Sequence, residues 1–239
     1  MRTGEWRVCD QPVFRSDERL ELAERWSDLS LEEEDDAWAG LMQAGGHVRP
    51  RGCEASTRVA IMIPYRDRES HLATFLRYMH PFLMKQNIEY TILVINQTDS
   101  APFMRGLLFN AGYLTANHVL PFTPDCFILH DVDHIPERQA LYYRCSSHGV
   151  LHLGNIIIIR IVNHCLISAQ SVDRFQYQLF MLEYTGGVAA ITSDQYQAIN
   201  GFSNLYLGWG CEDEDFYVRI VDRGLTLIRV DARVSFLTI

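Results

Sequence analysis

No stretch of this chain is apolar for long enough to cross a bilayer. The best candidate, Asn155 to Leu166, carries Arg160 at its centre and His164 near its end, whereas a spanning helix needs about 20 predominantly apolar residues. The apolar core of a secretory leader is also missing, because Met1 is followed closely by Arg2, Glu5, Trp6 and Arg7. As written, the chain is expected to be soluble. Positive charge is scarce: 21 Lys and Arg stand against 30 Asp and Glu, a formal net charge of -9. That balance argues against a nucleic-acid partner, whose phosphates demand a net basic surface, but leaves local cationic pockets open. The six cysteines, at 9, 53, 126, 145, 165 and 211, contain no C-x-x-C pair, which argues against structural zinc and leaves disulfides or buried thiols. What is present suits one globular domain of α/β-enzyme size: 239 residues, 48% of them hydrophobic, enough to bury a core.

Two acidic elements stand out. Leu207-Gly208-Trp209-Gly210-Cys211-Glu212-Asp213-Glu214-Asp215-Phe216 places a tryptophan between glycines and then four consecutive carboxylates. Glycine weakens regular structure and like charges repel, so the stretch reads as a site. Trp209 is placed to swing onto a ligand ring while Glu212 and Asp213 offer acceptors to a hydroxyl or a metal. The plain alternative is an acidic helix start, favoured by the helix dipole. The second element, Cys126-Phe127-Ile128-Leu129-His130-Asp131-Val132-Asp133, is an apolar run ending in two carboxylates one residue apart. A buried strand delivering a metal site at its C-terminal edge has this form; an acidic turn after a strand is the alternative.

Along the chain, Ser30-x-x-Glu33 reads as a capping box that starts a short helix ending at Gly45-Gly46, and residues 1–52 as an N-terminal wrap. Val59–Ile63 reads as a buried strand stopped by Pro64, and Glu69–Met84 as a helix through Leu72, Phe75, Leu76 and Met79. Tyr90–Ile95 is the next strand, Met104–Ala116 the next helix, and Phe127–Leu129 the strand delivering Asp131 and Asp133. Gly186–Ile191 is a further strand, followed by a helix N-cap at Thr192-Ser193-Asp194; Phe216–Val221 is a helix beyond the acidic cluster. The alternation predicts a mostly parallel sheet with helices on both faces. Ligands bind such sheets beyond the strand C-termini, where Arg66 and Arg68 would join the aspartates. A carboxylate at a helix N-terminus stays ionised, so it serves as a general base only if burial raises its pKa.

In order along the chain, CEASTRVAIMIPYRDR (Cys53 to Arg68), YTILVIN (Tyr90 to Asn96), Phe103-Met104-Arg105, HDVDHIP (His130 to Pro136), YTGGVAAI (Tyr184 to Ile191), INGFSN (Ile199 to Asn204) and GWGCEDED (Gly208 to Asp215) resemble the β-1,4-galactosyltransferases. The resemblance covers most of residues 45–230. It implies a single GT-A-type domain over 53–239, UDP-galactose as donor, Mn2+ as cofactor, inversion at the transferred sugar, and a terminal N-acetylglucosamine or glucose as acceptor. By the same resemblance, Pro64, Tyr65, Arg66, Asp67, Arg68, Phe103, Met104 and Arg105 match donor contacts, and Val132 with Asp133 the donor and metal site. Tyr184 matches a residue limiting the space beside the donor sugar, Trp209 a tryptophan covering the donor, and Cys211, Glu212, Asp213 and Glu214 the acceptor site. Asp213 falls at the catalytic base. The arginine forks suit a diphosphate, and for any one of them the alternative is a surface ion pair. Cys126 with Cys145, and Cys9 with Cys53, occupy positions implied to be paired, leaving Cys165 and Cys211 free.

Three departures are visible. Glu214 stands where the family has a third aspartate. Residues 148–166 (HGVLHLGNIIIIRIVNHCL) read as an insertion, either an extra buried strand or foreign sequence spliced in, and no flanking segment reads as a pairing partner. After Leu225–Arg229 the resemblance expects a methionine and a histidine as further metal ligands, yet the sequence runs Ser235-Phe236-Leu237-Thr238-Ile239. Asp133 is then expected to be the metal's one protein ligand, and a non-catalytic UDP- or glycan-binding remnant is the alternative function. Family members are type II Golgi proteins with lumenal catalytic domains, so the resemblance places this one in the Golgi lumen through an anchor absent from the sequence.

Overall fold

The fold is taken from a computed structural model, which describes residues 7–16, 18–20, 40, 42, 43, 45–154, 184–208, 210–231 and 237–238. Trp209, Cys165, residues 155–166 of the expected insertion and the expected helix after Ser30 lie outside them.

A seven-stranded sheet organises the chain, in the order β1-β3-β2-β4-β7-β6-β8. Its strands are β1 (His47–Val48), β2 (Arg58–Tyr65), β3 (Glu89–Asn96), β4 (Cys126–His130), β6 (Gly149–His152), β7 (Val188–Ile191) and β8 (Thr226–Arg229). A separate pair joins β5 (Ile135–Pro136) to β9 (Leu237–Thr238). Strand β2 pairs in parallel with β3 and β4, and β6 with β8; β1 and β7 run antiparallel to their neighbours. The helices among the described residues are α1 (Glu69–Met84), α2 (Arg105–Val119), α3 (Ser193–Ala198) and α4 (Glu212–Asp222).

Helices cover both faces because the central strands are apolar on both. Along β2, Val59, Ile61 and Ile63 face α1, joining Phe75, Met79 and Leu83. The intervening Ala60 and Met62 face α2, joining Phe109 and Ala116. Each of the larger side chains among them, fully buried, contributes about 1.5–3 kcal/mol. Gly112 brings α2 close to the sheet, for a Cβ there would lie 2.8 Å from the Ile95 Cδ1. Helix α3 starts as expected, with Thr192 and Gln195 forming a capping box.

Several boundaries differ from the sequence reading. Pro64 does not stop β2, which continues to Tyr65; beyond Met62 only β3 still pairs with it, and a free edge tolerates a residue without an N–H. The acidic cluster lies at a helix N-terminus as expected, with α4 starting at Glu212 and all four carboxylates in its first turn, where the dipole offsets their repulsion. Gly149–His152, placed in the expected insertion, is an inner strand with partners on both sides, Leu151 opposite Ala190 and Ile228.

The N-terminal wrap is tied down covalently. Cys9 bonds Cys53 and Cys126 bonds Cys145, while the Tyr142 hydroxyl donates to the Pro12 carbonyl at 2.6 Å. Cys211 is a free, exposed thiol.

Candidate active site

Strands β2 and β4 end side by side, and the loops leaving them carry Arg66 and Arg68 from one and Asp131, Val132 and Asp133 from the other. The first turns of α2 and α4 point Arg105, Glu212 and Asp213 into the same space, and the segment entering β7 adds Tyr184. Together they line a cleft of about 420 Å³ with Pro64, Phe103 and Gly208. Eleven residues singled out in the sequence therefore meet in one place: Pro64, Arg66, Arg68, Phe103, Arg105, Asp131, Val132, Asp133, Tyr184, Glu212 and Asp213.

The others are placed differently. Tyr65 packs against the α1-side core, as strand alternation after Ile63 requires. Asp67 sits at φ 51° and is exposed, in the turn between Arg66 and Arg68. Met104 precedes α2, its N–H held by the Gln97 side chain at 2.9 Å. Cys211 is exposed at φ 69°; neither it nor Glu214 lines the cleft.

Charge in the cleft is tightly arranged. Arg105 donates from Nε to Asp131 at 2.6 Å and from Nη1 to Asp213 at 2.7 Å, with Glu212 3.7 Å away. It also lies over the Phe109 ring, 4.8 Å from its centre. Burial alone would lower its pKa, but Asp131, Asp213 and Glu212 raise it well above the ordinary value, so it stays charged. The sequence reading assigned this fork to a diphosphate; here it is engaged by carboxylates that lie 26 and 108 positions away in sequence. Arg66 and Arg68 are better placed for phosphate. Arg66 lies over Phe103 and donates to the Ala101 carbonyl, and Arg68 pairs with Asp133 from a half-exposed position.

Asp213 is the most perturbed carboxyl of the cleft. Burial lifts its pKa most, Arg105 pulls against that, and Glu212 and Asp131 push it up again, to about 7. This is the condition a general base at a helix N-terminus has to meet: ionised often enough to act, basic enough to accept a proton. Its backbone is fixed as well, since the Thr185 hydroxyl donates to the Asp213 carbonyl at 2.8 Å. Gly186 is required beside it, because a Cβ there would stand 2.4 Å from the Asp213 Oδ2 and 2.1 Å from the Tyr184 hydroxyl.

Asp131, Asp133 and His134 present ligand atoms within 4.8 Å of one another. His134 donates from Nδ1 to Asp133 at 3.0 Å, and its Nε2 is a buried nitrogen without a hydrogen-bond partner among the described residues. Burial would raise the Asp133 pKa, but His134 and Arg68 together hold it well below the usual carboxylate range. Two carboxylates and an imidazole fit a divalent cation of manganese type, which takes oxygen and nitrogen donors. The resemblance names Asp133 alone, whereas the two-carboxylate motif itself points to Asp131 as well; His134, next in the sequence, is the ligand that was missed. Behind the cleft His130 is neutral, burial pushing its pKa down to about 3, and bonds Tyr143.

Residues 10–146 match the family model described as the N-terminal region of glycosyl transferase group 7, and residues 167–238 match the one described as the N-terminal domain of galactosyltransferase. A β-N-acetyl-D-glucosaminide β-1,4-N-acetylglucosaminyl-transferase of Lymnaea stagnalis is 45% identical over 188 residues, 79% of this chain and 35% of that protein. The β-1,4-galactosyltransferase 3 of Cricetulus griseus is 39% identical over 194 residues, 81% of this chain and 45% of that protein. The chain thus spans less than half the length of these curated relatives. Among solved structures, a mutant of the Drosophila β1,4-galactosyltransferase 7 in complex with manganese, UDP-Gal and xylobiose superposes with a TM-score of 0.59 at 32% identity, over 72% of this chain and 64% of that one. The fold is of the GT-A type.

Proposed function

For a chain that belongs to the glycosyltransferase group 7 family, we propose that the cleft binds UDP-galactose and a divalent cation, Mn2+, and transfers galactose with inversion to the 4-hydroxyl of a terminal N-acetylglucosamine or glucose. The observation carrying this reading is Asp213, a buried carboxyl with a pKa of about 7 in the same cleft as a set of metal-type donors.

In this reading Asp213 accepts the proton of the acceptor hydroxyl as that oxygen bonds to the anomeric carbon of galactose. The bond from that carbon to the diphosphate breaks, and its electron pair leaves with UDP. Arg66 and Arg68 receive the diphosphate through charge-assisted hydrogen bonds. Arg105 orients the Asp213 carboxylate and ties it to Asp131. Asp131, Asp133 and His134 would hold the cation, which would supply positive charge to the leaving diphosphate. Tyr184 forms the wall beside the sugar; its bulk favours galactose over donors with an N-acetyl group. The Lymnaea relative is named for N-acetylglucosamine transfer, so that donor is the competing outcome. Two disulfides suit an oxidising compartment, which agrees with the Golgi lumen; no helix among the described residues is long and apolar enough to cross a membrane.

Incubation with UDP-galactose, Mn2+ and N-acetylglucosamine, followed by mass spectrometry, tests this. A disaccharide formed only with Mn2+ is expected. UDP bound without any transfer would leave a glycan- or nucleotide-binding domain, and product from UDP-N-acetylglucosamine alone would overturn the donor assignment.

A further inference from the structure

The segment that enters β7 forms one wall of the cleft, and every residue of it is held. The Gly187 carbonyl accepts from the Asp131 N–H at 2.9 Å, and Thr185 bonds the Asp213 carbonyl. The Tyr184 and Gly186 carbonyls face a pair of side chains that the proposed chemistry does not use. Arg229 donates from Nη2 to the Tyr184 carbonyl at 2.9 Å and from Nη1 to His152 Nδ1. His152 in turn donates from Nε2 to the Gly186 carbonyl at 2.8 Å.

This arrangement follows from register. His152 on β6 stands opposite Arg229 on β8 in a parallel ladder, so both side chains project from the same face, side by side. The ladder's backbone bonds already join the two strands, and the guanidinium is surplus to them. It reaches past its strand partner to the chain beyond. His152 is fully buried, and burial with the nearby Arg229 charge pushes its pKa down to about 3. A neutral imidazole has one nitrogen to accept from Arg229 and one N–H to give to Gly186, which is the state these two bonds require.

Resting on the UDP-sugar reading of the cleft, we propose that Arg229, acting partly through His152, is a positioning residue for donor selection. It fixes the Tyr184 and Gly186 carbonyls and thereby how far the Tyr184 ring projects beside the donor sugar. Tyr184 touches the ligand space; Arg229 does not line it, so its influence passes through the backbone of the wall. Gly186 leaves no slack in that wall, since a Cβ there would meet both Tyr184 and Asp213.

The test is a double-substitution cycle on the full chain, reading the affinity of UDP-N-acetylgalactosamine relative to UDP-galactose by calorimetry in the presence of Mn2+. Arg229→Met should move that ratio toward the larger donor by roughly tenfold, the scale on which one misplaced pocket contact changes discrimination. Arg229→Lys, which keeps a donor for one carbonyl, should move it less. In a Tyr184→Leu background Arg229→Met should add almost nothing, because the group it positions is gone. A purely structural role would weaken both donors alike and leave the ratio unmoved, and that result overturns the proposal. If Arg229→Met does not fold, Arg229→Lys and His152→Gln carry the same comparison. Failure of the unsubstituted chain to bind UDP overturns the reading of the cleft together with this proposal, whereas binding with an unmoved ratio overturns this proposal alone.

Discussion

Replacing Asp213 by Asn should remove transfer and make the protein more stable, and the second effect grows with pH. Moving a carboxyl from 3.8 to about 7 corresponds to a native-state penalty on the ionised form of roughly 4 kcal/mol, at 1.36 kcal/mol per pKa unit. The sign follows from proton binding: the folded protein holds this proton more tightly than the unfolded chain. Its stabilising effect is complete below about pH 4 and is lost as pH rises through about 7. Asparagine has the shape of the protonated acid and never ionises, although it offers Arg105 a weaker partner. Asp213→Asn should therefore be near neutral below about pH 4, already stabilising at pH 5 and more so at pH 8, with Tm rising by roughly 2–4 °C for each kcal/mol recovered. Transfer should fall by about 10² to 10⁴, the usual contribution of a general base, while UDP affinity changes little. In the parent, the rate should climb with pH through about 7 and then level off. Thermal melts from pH 5 to 8 beside rate profiles make the assay. A variant that loses stability relative to the parent as pH rises, or one that keeps full turnover, would refute this account of Asp213.

Tyr184→Leu should raise use of UDP-N-acetylgalactosamine relative to UDP-galactose in competition assays; an unchanged ratio would show that Tyr184 does not limit the donor. Removing the Cys126–Cys145 bond by double substitution to Ala should cost about 3 kcal/mol in denaturant melts, from the loop entropy of its 19-residue separation; non-reducing peptide maps should first show both native bonds. Cys211→Gly should raise stability by about 1 kcal/mol, because a side chain at φ 69° is strained where glycine is not, and a lower Tm would contradict that conformation.

The parts of the fold that were legible in the sequence are those set by local pattern. Val59–Ile63 and Phe127–Leu129 are continuous apolar runs because both faces of their strands are covered, and Glu69–Met84 shows helical spacing with a single buried stripe. The acidic cluster was legible as the N-terminus of a helix, and the structure adds that it is itself helical. Four adjacent carboxylates look hostile to a helix, yet the dipole and Arg105 together accommodate them as the opening turn of α4. Strands β6 and β8 have four residues each, too short for a periodic signal; β8 was expected through the resemblance over Leu225–Arg229, whereas β6 is defined only by its tertiary pairing. Arg105 illustrates the limit for the site: its charge was plain in the sequence, but its partners come from two distant elements. Asp131, Asp133, Glu212 and Asp213 were visible as acidic motifs, while the elevated pKa of Asp213 depends on burial that no local pattern encodes.

Strand β6 leaves the sheet at His152, and the chain returns to it at β7, where the Leu153 N–H bonds the Val188 carbonyl at 2.9 Å. The two anchor points of residues 155–183 are thus next-door neighbours, clamped together before any of that connection is counted. The entropy of closing a loop grows only with the logarithm of its length, about 0.6 kcal/mol for each doubling. Extra residues at this place leave the register of β6, β7 and β8 untouched, and the two family models meet across it, one ending at 146 and the other beginning at 167. Extra length at this junction therefore costs little in closure entropy, and it enters the chain next to Tyr184, which lines the cleft.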